Sequence, residues 1–259
     1  MPASLTARRS KEIASLHRKK HRDRLGQVLI EGVRAVEAAV AARVSLVDVV
    51  MAETMQHDAR VQAFMAQVTV PVYVVPASVL ARLSEVQTSQ GVLAVARQTL
   101  VPEAHLTTLT TILALDGVQD PGNVGAVIRT AAWFGVEAVL AGPGTADVFQ
   151  PKVVRAAMGG LWDVHLAQTA DLPATLVRLR EHGLACYGAD LQGTSVHTWM
   201  PRRPSVLVLG SEAHGLSPGV QARLAERIAI AGAASRAGTE SLNVAVAAGI
   251  LMYAWMGEV

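Results

Sequence analysis

From residue 27 onward, apolar runs of strand length alternate with stretches of helical periodicity, and this alternation restricts the fold more than any other feature of the sequence. The first series reads QVLIEG as a strand, VRAVEAAVAA as a helix, SLVDVVMAE as a strand, a helix through HDARVQAFMAQV and PVYVVP as a strand. ASVLARLS is then a short helix and GVLAVAR a strand. TLVPEAHLTTLT follows with neither periodicity and with Pro102, and reads as a linker. The second series starts at TILALD and continues with a helix after Asn123, the strand VEAVLAG, a helix over 151–161, the strand VHLAQ and a helix over 171–182. The strands LACYGAD, SVLVLG and RIAIAG complete it, before a long apolar helix from Leu242. Alternation this regular predicts an α/β fold whose sheet is mostly parallel and covered on both faces. It divides the chain into a small α/β domain over 1–100 and a larger one over 108–259.

Composition then excludes several functions. Apolar residues make up 51% of the 259 but aromatics only 4%, so the core must be filled by Ala, Val, Leu and Ile, as in parallel sheets. Cys186 is the only cysteine, which rules out an internal disulfide or a cysteine-based metal centre and points to a reducing, cytoplasmic compartment. No metal is expected. The opening MPASLTARRS has no apolar core, and the longest apolar stretch, LNVAVAAGILMYAWM, is short for a bilayer span, so no membrane role is expected. Charge is distributed unevenly. Residues 1–24 hold eight Lys or Arg against Glu12 and Asp23, a net of +6, while the remainder of the chain carries −4. Such an end reads either as a frayed, solvated terminus or as an arm facing a polyanion, with Arg8, Arg9, Arg18, Lys19, Lys20 and Arg22 as the phosphate-binding candidates.

Open parallel sheets bind ligands at the carboxyl ends of their strands, here the loops after Leu115, Ala189, Leu209 and Ile230. Three of these are unusual. In LALDGVQDPGNVGAVIRTAAWFG, Asn123 sits where a helix N-cap is expected, and Arg129 lies among small apolar residues, where it needs a partner. That partner is Asp116 or Asp120 if the arginine only closes the loop. In SVLVLGSEAHGLSP, Gly210 at the strand end would let a ligand approach the backbone, while Glu212 either caps the next helix or pairs with Arg129. In RIAIAGAASRAGTESLNVAVAAGILMYAW, Ser241 and Asn243 open an apolar helix, where they cap backbone amides or face a ligand. No G-x-G-x-x-G follows the first strand and no Walker lysine is present, which argues against NAD or a nucleotide phosphate.

Together, in this order and at these spacings, the three segments resemble the signature motifs of the SpoU (TrmH) RNA 2′-O-ribose methyltransferases of the SPOUT superfamily. The matching residues are Asn123, Gly125, Arg129, Thr130, Ala131 and Gly135; then Gly210, Glu212, Gly215 and Leu216; then Ser241, Leu242, Asn243, Val244 and Ala247. LIEGVRAV and LSEVQTSQGVLAVAR resemble that family's RNA substrate-binding domain, so the likeness covers about residues 10–256. It implies a ribosomal-protein-like RNA-binding domain, a catalytic domain closed by a deep trefoil knot, a homodimer, S-adenosylmethionine as cofactor, and ribosomal RNA as substrate with transfer RNA second. The resemblance makes Arg129 the central catalytic residue, with Asn123, Glu212, Ser241 and Asn243 orienting it, the ribose and the loops. The cofactor is expected against the backbone around Leu209, Gly210, Ile230, Gly232 and Leu242.

One departure stands out: where the family has Ile-Pro-Met, this chain has Ile230, Ala231 and Gly232, and the stretch to Leu242 is about three residues longer. A guanidinium keeps its proton near neutrality, so Arg129 is expected to stabilise a developing alkoxide and bind the adjoining phosphate rather than act as the base often assigned to it. The altered 230–232 segment also leaves open a non-enzymatic RNA-binding protein with the same fold. The sheet pattern alone would suit a doubly wound enzyme for another nucleotide.

Overall fold

The computed structural model describes residues 4–86, 89–233 and 240–257. The chain forms two compact units, one of residues 1–99 with 149–163 and the other of residues 100–148 with 164–259. In chain order the first unit contributes α1 (Ala7–Ser15), α2 (Lys19–Leu25), β1 (Gln27–Glu31), α3 (Val33–Ala41), β2 (Leu46–Ala52), α4 (Ala59–Met65), β3 (Val72–Val75), α5 (Ala77–Leu83) and β4 (Val92–Arg97). The second unit begins with α6 (Glu103–Leu106), β5 (Thr111–Asp116), α7 (Pro121–Trp133) and β6 (Ala138–Ala141). The chain returns to the first unit for α8 (Pro151–Ala157). It ends in the second with β7 (His165–Gln168), α9 (Leu172–Glu181), β8 (Ala185–Ser195), β9 (Ser205–Gly210), α10 (Pro218–Gln221), β10 (Glu226–Ala229) and α11 (Val244–Met256).

In the first unit the sheet order is β1-β4-β2-β3, antiparallel except for the β2–β3 pair. Leu29, Val50, Leu80, Leu83, Leu93 and Val95 form one core with Ile13 and Leu16. The basic N-terminus is therefore not an arm: Ile13 and Leu16 anchor α1 and the turn after it in that core. The guanidinium of Arg22 is a structural group, donating from Nη1 to the carbonyls of Leu16 and His17, both at 2.9 Å, and the residue is only 2% exposed. Arg9 is likewise tied down, its Nε 2.6 Å from Oδ2 of the buried Asp48. Arg22, and largely Arg9, are thereby withdrawn from the solvated phosphate-facing set expected from sequence. α8 packs on β1 through a buried Val153, Val154 and Ala157, and Arg155 Nη1 lies 2.7 Å from Oε2 of the buried Glu31. The helix ends at Ala157, short of the expected 161, because Met158 and Gly159 turn left-handed before a 3₁₀ turn over Gly160–Trp162.

The sheet of the second unit has six strands in the order β10-β8-β9-β5-β6-β7, and every neighbouring pair is parallel. Its central strands β5 and β9 are buried over five of six residues each, which is why they read as unbroken apolar runs rather than alternating ones. Ile112, Ala114, Leu140, Val206 and Val208 pack with Leu172, Leu176 and Leu179 of α9. Trp255 of α11 is buried and donates its indole N–H to Ser205 Oγ at 2.9 Å. The stretch read as a linker carries the short α6, and β8 runs to Ser195, five residues past the expected end, because its outer part pairs with β10. From β5 the chain moves outward to β6 and β7, then crosses to the far side for β8, β9 and β10. The loops after β5 and β9 therefore leave in opposite directions from adjacent strand ends, a topological switch point of the kind that binds ligands.

Among the described residues no helix is long and apolar enough to cross a membrane, and no group of His, Cys, Asp and Glu is arranged to hold a metal ion. Tracing the knot implied by the resemblance would require residues 234–239, between β10 and α11, which lie outside the described residues.

Candidate active site at the strand ends

Three separate segments meet at the switch point through one hydrogen-bonded chain. Asn123 Nδ2 donates to Glu212 Oε1 at 2.5 Å, and Asn243 Nδ2 donates to Asn123 Oδ1 at 3.0 Å. Local helix physics sets the positions. Asp120, not Asn123, is the N-cap of α7, its carboxylate accepting from the Asn123 amide at 2.9 Å, with Pro121 in the first helical position. Asn123 is the third residue of the helix, and its side chain is thereby free to bridge. Asn243, not Ser241, caps α11, accepting from the amides of Ala245 at 2.9 Å and Val246 at 3.4 Å while its amide group reaches Asn123. Ser241 is exposed just before it.

The loop after β9 is held by its own backbone. Ser211 and Gly215 exchange hydrogen bonds at 3.0 and 2.8 Å, and a Cβ on Gly210 would fall within 2.5 Å of the Gly215 and Leu216 backbone. The return of its own loop thus requires glycine at 210, a constraint separate from the expected approach of a ligand to its backbone. Asp116, at the end of β5, accepts from the Ser217 amide at 2.6 Å and ties the two strand-end loops together. Arg129 pairs with neither Asp116 nor Asp120. Its side chain is exposed on α7, six residues beyond Asn123, and makes no ion pair among the described residues. Six residues rotate a helix by about 600°, which turns Arg129 roughly 120° away from Asn123. The structure brings Asn123, Glu212 and Asn243 together and leaves Arg129 apart.

Of the expected cofactor contacts, Leu209 is fully buried, Gly210 and Ile230 are partly covered, and Gly232 and Leu242 are exposed, Leu242 at 45%. Four exposed apolar side chains lie on the helix pair that carries the site: Trp133 on α7, and Val246, Ile250 and Tyr253 on α11. The two helices pack together, with the rings of Phe134 and Tyr253 at 6.3 Å. Sequence reading names Asp120 and Asp116 only as partners for Arg129, whereas one caps α7 and the other ties the strand-end loops. For the first the signal was present, since an aspartate directly before a proline is a strong helix start.

The profile of the SpoU rRNA Methylase family matches residues 110–253, more than half of the sequence and the whole of this site. The chain belongs to the SpoU rRNA methylase family. A second profile, that of the MRM3-like substrate binding domain, matches residues 8–94. Among relatives of this SpoU protein, the 23S rRNA (guanosine(2553)-2′-O)-methyltransferase of Bacillus subtilis is 33% identical, over 94% of this chain and 94% of its own length. A TrmH-family protein of Porphyromonas gingivalis superposes with a TM-score of 0.82 at 36% identity, covering 98% of each chain. The AdoMet-bound rRNA methyltransferase of Sinorhizobium meliloti gives 0.84 at 28% identity, over 97% of this chain and 95% of that one.

Proposed function

We propose that this chain transfers a methyl group from S-adenosylmethionine to a ribose 2′-hydroxyl of ribosomal RNA. The observation that carries this reading is the Glu212–Asn123–Asn243 chain, which joins all three family motifs at the switch point of a parallel sheet. The Bacillus subtilis relative is named for this reaction on 23S ribosomal RNA. The loops fit the cofactor's chemistry: they offer backbone amides and carbonyls, the partly covered Ile230 and the exposed Leu242, and S-adenosylmethionine has no phosphate to be cradled. The backbone around Leu209, Gly210, Ile230, Gly232 and Leu242 would hold it. When bound, the cofactor supplies an electrophilic methyl on a sulfonium, with a neutral thioether as leaving group.

The chain's own residues then have separate tasks. Asn123, Glu212 and Asn243 fix the strand-end loops relative to one another, so that the 2′-oxygen is presented in one orientation. Arg129 stays cationic, holds the adjoining phosphate and stabilises negative charge as it develops on the 2′-oxygen, whose proton leaves to water. Since Arg129 is turned away from the Asn123 cluster, the working unit is a homodimer formed through Trp133, Val246, Ile250 and Tyr253, with each Arg129 beside the partner's strand-end loops. The first unit holds the RNA, and the reaction takes place in the cytoplasm.

The test is incubation of purified protein with methyl-labelled cofactor and ribosomal RNA, followed by mapping of 2′-O-methylated positions. Label at one ribose, lost in Arg129→Ala, is expected. Label in transfer RNA alone would move the substrate class, and RNA binding without cofactor binding by calorimetry would leave a non-enzymatic RNA-binding protein.

A further inference from the structure

The basic N-terminal segment divides into three kinds of cation. Arg22 and Arg9 are committed to the fold, as described above. Arg8 and Lys19 are exposed but each has a carboxylate within one helical turn, Glu12 at 3.1 Å and Asp23 at 3.0 Å. Lys11, Arg18, Lys20 and Arg24 are exposed and have no carboxylate partner among the described residues; Arg24 touches only the His21 ring, at 3.3 Å. Lys20 and Arg24 are four residues apart on α2, a spacing at which like charges repel and destabilise a helix. A helix of seven residues gains nothing inside the folded chain from that repulsion.

The surface that carries these cations is nevertheless rigidly held. Arg22 clasps the Leu16 and His17 carbonyls just past α1, His17 contacts the Leu83 carbonyl at 2.7 Å through Nε2, and Ile13 and Leu16 are fully buried. Four uncompensated positive charges on a fixed helix-turn-helix surface gain free energy from an external polyanion through release of its counterions. Building on the RNA-directed reading above, we propose that the solvent face of α1 and α2 docks the phosphate backbone of structured RNA through Lys11, Arg18, Lys20 and Arg24. Arg22 is the buried support of this surface and not a contact. Such docking reads backbone charge and not bases, and so sets affinity and position while leaving the choice of nucleotide to the catalytic unit.

The experiment measures binding of a fluorescent transcript of the 23S ribosomal RNA segment around guanosine 2553 across a salt series. It compares wild type, the triple variant Arg18→Ala/Lys20→Ala/Arg24→Ala and a control, Arg8→Ala/Lys19→Ala, that removes only paired cations. The triple variant is expected to lose affinity about tenfold or more near 0.1 M salt, and to flatten the log–log salt slope by about 2 to 3, while the control stays near wild type. Thermal midpoint and S-adenosylmethionine binding should not change in either variant. An unchanged slope in the triple variant, with wild type still binding and methylating RNA, would overturn this surface and leave the methyltransferase reading intact. Absence of RNA binding by wild type would overturn both.

Discussion

Asn243 performs two tasks with the two ends of one amide, and substitution can separate them. Its Oδ1 caps α11 and its Nδ2 donates to Asn123. Asn243→Ala removes both. Loss of an N-cap costs about 1 kcal/mol, and in a protein of this size each kcal/mol lowers the thermal midpoint by about 2–4 °C. Asn243→Asp keeps an acceptor on the Ala245 amide and places negative charge at a helix N-terminus, which is favourable by about 0.3–1 kcal/mol, so the midpoint should hold or rise slightly. The aspartate cannot donate to Asn123, however. Asn123 would then lie between two carboxylates, Glu212 and residue 243, and its amide has only one donating end; one side must place oxygen against oxygen. A hydrogen bond to a charged group contributes about 1.5–3 kcal/mol, and the exposure of these residues calls for the lower end, so kcat/KM for methyl transfer should fall by about tenfold. The assay pairs differential scanning calorimetry with initial rates on ribosomal RNA. An aspartate variant as stable and as active as wild type would refute the idea that this amide chain positions the site.

Four further outcomes follow from particular contacts. Arg22→Met should lower stability by about 2 kcal/mol, read as a shift in the urea midpoint, because the Leu16 and His17 carbonyls lose a charged donor in a buried place. Burial alone would raise the Glu137 carboxyl, but hydrogen bonds from the side chains and amides of Thr110 and Thr111 outweigh it and hold the group below 4.5. Its contribution is therefore complete above about pH 4.5 and is lost as pH falls through the lower folded value, so wild type and Glu137→Gln should differ in urea midpoint at pH 7, and the difference should shrink as pH is taken below 4.5. Burial pushes the Cys186 thiol up to about 11, so a thiol reagent at pH 8 should label the native protein slowly and the urea-unfolded protein at once. Trp133→Glu with Tyr253→Glu should give a monomer by light scattering with cofactor-dependent activity lost; a fully active dimer would remove these residues from the interface.

Whatever periodicity and strand-end logic encode was legible in the sequence, and whatever depends on distant partners was not. Strands β5 and β9 could be read because a strand covered on both faces must be apolar throughout. The loops after β5, β9 and β10 could be singled out because parallel sheets bind at that edge. Arg22 could not be told from Lys20 in a run of basic residues, since only the fold brings the Leu16 and His17 carbonyls to its guanidinium. Asn favours the cap position and so points to Asn123, although the nearby Asp120–Pro121 pair satisfies the rule better. Nor could the sequence assign α8 to the first unit. Its Arg155 finds Glu31 across 124 residues, and no local pattern records a partner at that distance.

The position of Arg129 joins the chemistry to the assembly. Arg129 and Trp133 are four residues apart on α7 and thus share one helix face. Of only ten aromatic residues in the chain, Trp133 is 84% exposed, and Tyr253 on the paired helix α11, whose ring meets Phe134, is 65% exposed. Exposed aromatic surface of this kind is a poor use of scarce apolar bulk in a monomer, and burial against a second copy is favourable by roughly 25 cal/mol per Å² covered. The same contact would enclose Arg129, a cation that one protomer leaves in water, where its field is screened. On the proposed reading, association would supply the lower dielectric in which a guanidinium stabilises a developing alkoxide effectively. Activity should then follow the dimer fraction on dilution, and it should do so even when the Glu212–Asn123–Asn243 chain within each protomer is intact.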